Sequence, residues 1–549
     1  MAVKNLKHAI SQIEKIYPQC KNYKGSFNWS ALSEPMWSNC VKGDYWINDN
    51  TNDIKAMHCY LHYPNDVMYW DGTNITPLRL PKENNTPLKN RYDICIVGGG
   101  AGGMGCAYAL KDKGYNVILI EKLDTLGGTH INGGIPILIS SPITGTWFKT
   151  ICQDAYNNNP QKLAFVSSVE VGSGTTFEKL WRGGLYTTAE NNRGSQINMS
   201  YWWTSQRYLS DLSDNIDIRL RTELIESYVN GDIVGGIKVK NLDTGETYNI
   251  FAEYFIDCSA DGCLCRSGKT IDVDYFIGSD SKTLYNEGAY ANGYVGDKYK
   301  INTVEGGYRV LIDSYLPGDK MRIEDRTKWK SFTDITTKVN GKSDNPGEYS
   351  SVISTSTGNS IDPHIFIDKG NDYAHSVAYP RSKAHLMGCG YSGSKYAEQC
   401  KMLGIRESYR IKCDRMLTQI DCETRATSAN MVSNHTIALS SWYVDIHNDS
   451  ALQNAINNSW LNAVPYESLV PSVFKNVLVG SRCFGCSHIA QASYRLTKVM
   501  MSIGYACGHA ISQCVDDWLD DVRDIDIAQL QTDVGIAALM TEMETYFSV

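Results

Sequence analysis

A glycine-dense turn between two apolar runs constrains this chain more than any other stretch. Tyr92 to Val97 is largely apolar and runs straight into Gly98-Gly99-Gly100-Ala101-Gly102-Gly103, and a second apolar run, Asn116 to Ile120, ends on Glu121. The letters GxGxxG occur by chance in many proteins. Here they follow a strand, open a helix expected over Met104 to Lys113, and meet an acid after the next strand. In such a βαβ unit Gly98 permits the tight turn, Gly100 lets the backbone approach a pyrophosphate, and Gly103 lets helix and strand pack closely. The helix N-terminus, at Ala101 and Gly102, offers free N–H groups to phosphates. Glu121 stands where a carboxylate accepts hydrogen bonds from a ribose. A second GxGxxG, Gly388-Cys389-Gly390-Tyr391-Ser392-Gly393, follows Arg381-Ser382-Lys383-Ala384-His385 rather than a buried strand, and reads as a loop. One dinucleotide site is therefore expected, without a separate nicotinamide-binding domain.

With 549 residues the chain has room for several compact units. Its 60 acidic residues outnumber 52 basic ones, a net charge of −8 that argues against a nucleic-acid partner or an anionic membrane surface. The start, Met1-Ala2-Val3-Lys4, lacks the apolar core of a signal peptide, and no run reaches the roughly 18 apolar residues of a membrane span. A cytoplasmic location is expected. The 17 cysteines are odd in number and scattered, which fits reduced, packed thiols better than a disulfide framework.

Further strands are expected at Ile216 to Leu220, Ile233 to Lys240, Tyr248 to Phe251, Tyr254 to Asp257 and Val477 to Val479. A long helix is expected from Ala490 to Val515 and another from Ile525 to Met540. Residues 1–90 differ in texture, being rich in Trp, Tyr, Asn and Asp after an amphipathic start at Leu6 to Ile16. Gly43 to Ile47 and Asp66 to Trp70 read as strands, and Asp71-Gly72 is a hairpin signal. Pro81 to Pro87 reads as a linker. The stretch from Gly43-Asp44-Tyr45 to Tyr69-Trp70-Asp71-Gly72 resembles β units of phage tail-fibre and other virion surface proteins. That resemblance implies assembly into a virion, or a homo-oligomer, through residues 1–90; the alternative is a decorated N-terminal extension with packed aromatics.

Several segments, in order, resemble the FAD-dependent oxidoreductase family with the glutathione-reductase-like fold. Glu121-Lys122-Leu123-Asp124-Thr125-Leu126-Gly127-Gly128-Thr129-His130 resembles its acid-to-double-glycine stretch. Tyr254 to Gly262 looks like its Ile-Asp-Ala-Thr-Gly-Asp-Gly element, with Cys258-Ser259-Ala260 in place of Ala-Thr-Gly. Asn476 to Cys483, with Gly480-Ser481-Arg482, resembles its closing segment, and Leu403 to Ile411 and Trp442 to His447 are similar to further parts of it. The resemblance implies FAD as cofactor. It implies cofactor contacts from Gly98, Gly100, Ala101, Gly102, Gly103, Glu121, Lys122, Gly127, Gly128, Thr129, Leu224, Ser259, Asp261, Gly480 and Arg482. The fold class that follows is α/β: a parallel, Rossmann-like FAD-binding sheet with an inserted β-rich substrate domain, behind a small β-rich N-terminal module. FAD-binding parts are expected at 91–145, 206–268 and 461–515, with a substrate-domain insertion at 146–205, a substrate or cap domain at 269–460 and a helical tail at 516–549.

A flavin oxidoreductase acting on a small organic molecule needs a hydride acceptor and usually a base for a nearby proton. The electron acceptor stays open among oxygen, a quinone and a partner protein. His130, just past the double glycine, is the first catalytic candidate, with hydrogen bonding to cofactor or backbone as its other reading. His447 is the second, together with Tyr443 and Asp445, with a satisfied structural histidine as its other reading. Arg406 and Arg410 either bind an anionic substrate or pair with Glu407 and Asp421, and His488 either faces the flavin or caps a helix. Cys483 and Cys486 read as packed thiols, and no Cys/His spacing points to a metal.

Overall fold

The computed structural model describes residues 90–132, 141–158, 201–268, 407–445 and 461–546 continuously, with short stretches at 20–27, 41–48, 67–70, 75–77, 137–138, 163–166, 177–178, 181, 196–199, 273, 275–277, 304–305, 308–311, 329–331, 396–399, 404–405 and 456. Near the N-terminus, β1 (Asn22–Phe27), β2 (Asp44–Asn48), β3 (Val67–Trp70) and β4 (Ile75–Pro77) form a sheet of their own in that order. β2, β3 and β4 pair antiparallel as alternating aromatic strands do, whereas β1, which the sequence did not advertise, adds in parallel. Buried Asp44 accepts hydrogen bonds from Asn22 Nδ2 at 3.0 Å and from the Val41 backbone N–H at 3.1 Å. The expected amphipathic start and the linker at 81–87 lie outside the described residues.

The site is positioned by a seven-stranded sheet of β5 (Arg91–Val97), β6 (Val117–Ile120), β7 (Asp217–Arg219), β8 (Thr222–Asn230), β9 (Ile233–Asn241), β10 (Thr247–Asp257) and β11 (Val477–Val479). Its order is β7-β6-β5-β10-β9-β8, with β11 paired to β10. β5, β6, β7, β11 and the second half of β10 run parallel. Parallel strands are covered on both faces, which explains their unbroken apolar runs: Ile94, Cys95, Ile96, Ile118, Leu119, Phe255, Ile256 and Leu478 are all completely buried. β8, β9 and the first half of β10 form an antiparallel meander. The two strands expected at Tyr248 to Phe251 and Tyr254 to Asp257 are one, because Ala252 stays in the ladder opposite Tyr92 while β10 changes partner from β9 to β5.

Two helices meet behind the glycine turn. α1 (Ala101–Leu110) begins three residues before the expected start, since the Met104 N–H already bonds the Gly100 carbonyl at 2.9 Å. The single C-terminal helix that was expected is two, α2 (His488–Tyr494) and α3 (Thr497–Asp517), separated where Leu496 turns extended. α3 crosses α1 backbone to backbone: a Cβ on Gly504 would lie 1.8 Å from the Gly102 carbonyl oxygen. The tail is likewise two helices, Ile527–Asp533 and Ile536–Tyr546, divided at Gly535 with φ +70°. Strands described within 146–205 and 269–460 pair antiparallel, Gln196–Met199 with Leu163–Val166 and Tyr275–Ile277 with Tyr409–Ile411 among them. The GxGxxG at 388–393 lies outside the described residues.

Candidate functional site

Strand register brings the loops together. Val97 pairs with Ile120 and with Asp257, and Asp257 pairs with Val479, so Gly98, Glu121, Cys258 and Gly480 leave the sheet at one level. Above these carboxyl ends, where ligands of open parallel sheets bind, lies a cavity of about 290 Å³. Its wall includes Gly98, Gly100, Ala101, Gly102, Glu121, Lys122, Gly128, Thr129, Leu224, Ser259, Asp261 and Arg482. Gly103, Gly127 and Gly480 stand behind the wall and shape it. A Cβ on Gly103 would lie 2.0 Å from the Gly98 carbonyl oxygen, one on Gly102 would lie 1.8 Å from that of Gly480, and the Gly127 N–H bonds the Gly99 carbonyl at 2.7 Å. Gly98 also needs its φ of +104°. Gly100 differs from all of these. It is extended, caps α1 without any side chain, and the atom nearest its missing Cβ is Gly128 Cα at 4.0 Å.

Glu121 is occupied first by the protein. Its two carboxylate oxygens accept the Gly99 N–H at 2.7 Å and the Leu123 N–H at 2.8 Å, and the Lys122 backbone N–H also bonds the carboxylate. Burial pushes its carboxyl above the usual range while those N–H groups pull it back. Asp257, not singled out in the sequence, ties the next loop: one oxygen accepts from the Ser259 N–H and hydroxyl at 3.1 and 2.6 Å, the other from the Cys265 N–H at 3.1 Å. Ala260, standing where the family has glycine, takes φ +69° and donates its N–H to Ser481 Oγ at 3.1 Å. Asp261 accepts from Arg482 Nη2 and from Ser408 Oγ, each at 2.5 Å.

A second wall carries the candidate proton chemistry. His130 is buried, its Nε2 lies 3.3 Å from the Tyr208 hydroxyl, and its Nδ1 has no hydrogen-bond partner among the described residues. Burial lowers its pKa to about 3, so the ring is neutral at physiological pH. Arg495 and Asp445 also line the cavity, paired at 3.1 Å, with Leu496, Thr497 and Met500 beside them. None of these last three was anticipated, because an unbroken helix over 490–515 hides the bend that turns them inward. Thr222 and Glu223, just before Leu224 on β8, were missed as well. Tyr443 is not part of the wall: it is half-buried, its ring lies tilted against that of Trp442 with centroids 4.7 Å apart, and its hydroxyl pKa is raised by burial and by Asp445. His447 and Arg406 lie outside the described residues. Arg410 and His488 both turn to buried Glu407, at 3.6 and 2.9 Å, and Ser487 rather than His488 caps α2. Cys483 and Cys486 are buried and form no disulfide among the described residues. Among the described residues no group of three His, Cys, Asp or Glu could hold a metal, and no helix is long and apolar enough to cross a membrane.

The profile described as FAD dependent oxidoreductase matches residues 93–534. The chain belongs to that family. Among curated proteins this oxidoreductase is similar to an FAD-dependent oxidoreductase, dbaF, of Emericella nidulans, at 28% identity over 147 residues, 26% of this chain and 26% of that protein. It is also similar to an uncharacterized protein of Acanthamoeba polyphaga mimivirus, at 46% identity over 44 residues, 8% of this chain and 9% of that protein. The chain thus matches a minor part of each relative's length. Of solved structures, a flavin-dependent brominase matches at 12% identity over 78% of this chain and 80% of its own, with a TM-score of 0.35. The myxobacterial chondrochloren halogenase, an FAD-dependent halogenase, matches at 14% identity over 59% and 65%, with a TM-score of 0.29. FAD is the oxidoreductase's cofactor, and the residues present fit it. Room for a phosphate is left at Gly100 alone among the glycines of the loop's wall, and the Nε atoms of Arg482 and Arg495 and the Nδ1 of His130, all buried in the lining, have no hydrogen-bond partner among the described residues.

Proposed function

We propose that this oxidoreductase removes a hydride from a small organic substrate. When bound, FAD supplies the hydride acceptor, N5. In this reading Gly98, Gly100, Ala101, Gly102 and Gly103 receive the pyrophosphate against the N-terminus of α1. Glu121, Lys122 and Leu224 take the adenosine side. Gly127, Gly128, Thr129, Ser259, Asp261, Gly480 and Arg482 form the remaining cofactor wall. The observation that carries it is the cradle at Gly100, extended and uncapped, where a side chain would meet no protein atom closer than 4.0 Å.

His130, Tyr443 and His447 are the catalytic candidates. The geometry of His130 favours its hydrogen-bonding reading, because an imidazole with a pKa of about 3 is a weak proton acceptor at neutral pH. Tyr443 acts, in this proposal, through Asp445, whose carboxylate reaches the cavity with Arg495. The purified protein should be yellow, and an anaerobic substrate screen should bleach its visible absorbance. A colourless protein that FAD cannot reconstitute would sink the reading.

A second reading, a virion surface component assembling through residues 1–90, has its support in the separate sheet of β1 to β4. It predicts symmetric oligomers that revert to monomers when residues 1–90 are removed. An unchanged mass on removal tells against it.

A further inference from the structure

Tyr208 is completely buried, on the helix Tyr201–Leu212 that packs beside the Thr129–Asn132 turn and α1. Its ring meets that of His130 edge to face, with centroids 6.0 Å apart at 78°. Among the described residues the only hydrogen bond of its hydroxyl is the 3.3 Å contact with His130 Nε2. The geometry is compatible with two neutral arrangements. If Nε2 carries the ring proton and donates it, the tyrosine's own proton is left in the protein interior without an acceptor, and Nδ1 is a bare acceptor. If the tyrosine donates to Nε2, the phenol is satisfied and the ring proton sits on Nδ1. The first arrangement leaves two buried groups unsatisfied, the phenol O–H and Nδ1, and each unsatisfied buried group costs free energy. The second arrangement leaves one unsatisfied group, Nδ1–H, on a ring that lines the cavity.

We propose that Tyr208 is a positioning residue that fixes His130 as a neutral imidazole with its proton on Nδ1, and that this N–H donates to a carbonyl oxygen or ring nitrogen of bound FAD. The second half rests on the reading of the cavity as an FAD site; the first half does not. His130 is then a hydrogen-bond donor rather than a base. Asparagine and glutamine separate these roles, because an asparagine amide nitrogen occupies the place of Nδ1 whereas that of glutamine occupies the place of Nε2.

The test uses the full chain labelled with ¹⁵N-histidine, with His130 assigned by the resonance that vanishes in His130→Asn. The ring should show a protonated Nδ1 and an acceptor-type Nε2, with and without FAD. Tyr208→Phe should lose that preference and show a protonated Nε2 or a mixture. A protonated Nε2 in the native protein overturns the proposal. FAD titration by fluorescence quenching then addresses the acceptor. His130→Asn should hold Kd within about twofold, and His130→Ala should raise it about tenfold, the worth of one hydrogen bond. An equal Kd in both variants and the native protein means that the acceptor is not on FAD and overturns that half. A native protein that binds no FAD fails the Proposed function while leaving the tautomer measurement decisive.

Discussion

Gly100→Ala should separate cofactor binding from folding. Gly100 already has φ −75° and ψ −166°, which any L-residue adopts, and an added methyl would stand 4.0 Å from its nearest neighbour, an ordinary contact. For the FAD-free chain two small terms oppose each other. Alanine restricts the unfolded chain and gains about 0.4–1 kcal/mol, while glycine is preferred to alanine at a helix N-cap by about as much. The stability of the apoprotein should therefore stay within about 1 kcal/mol of native. The same methyl fills the cradle, and overpacking a rigid contact costs about 1–3 kcal/mol, or roughly five- to 150-fold in FAD affinity. Gly102→Ala is the converse control. Its methyl would sit 1.8 Å from the Gly480 carbonyl oxygen, backbone that cannot yield, so the variant should lose stability with or without FAD. The assay is urea unfolding of both apoproteins, paired with the flavin-to-protein absorbance ratio after purification. A Gly100→Ala protein as yellow as native would refute the placement of the phosphates. So would one whose apoprotein unfolds as readily as Gly102→Ala.

Acid should weaken the fold through His130. Its pKa lies below that of the unfolded chain, so the unfolded state takes up the proton first and stability is lost as pH falls from about 6.5 toward 3; His130→Asn should remove about 2–3 kcal/mol of the loss measured by urea unfolding between about pH 7.5 and 4.5. Ala260→Gly should stabilise the protein by about 0.5–1 kcal/mol in the same assay, since relief of about 1–2 kcal/mol of left-handed strain exceeds the extra entropy of glycine in the unfolded chain. Arg482→Leu leaves Asp261 with Ser408 as its remaining side-chain partner, and should weaken FAD binding about tenfold or more by equilibrium titration.

What could be read from the sequence was what local spacing decides. The βαβ turn, Glu121 and the closing strand at Val477 are each announced by residues a few places apart, and so is the choice of Arg410 for Glu407. The boundaries failed where a long-range partner decides them. β10 runs through Ala252 and Glu253 because β5 takes over its ladder, which no alternation pattern records. The bend at Arg495 and Leu496 carries neither proline nor glycine, so a helix-period pattern ran across it and concealed Thr497 and Met500. Tyr208 reads as an ordinary aromatic of an amphipathic helix. Its meaning depends on a histidine 78 residues earlier in the sequence. Asp257 was seen as part of a motif, but its grip on Cys265 and Ser259 belongs to three dimensions.

The meeting of Gly102 with both Gly480 and Gly504 has a consequence for biogenesis. The glycine turn lies far ahead in sequence of two surfaces it packs on, Gly480 at the end of β11 and Gly504 in α3. A growing chain has the turn but not its backing until Gly504 of α3 has been added. Chains interrupted before α3 should therefore bind FAD poorly and purify colourless.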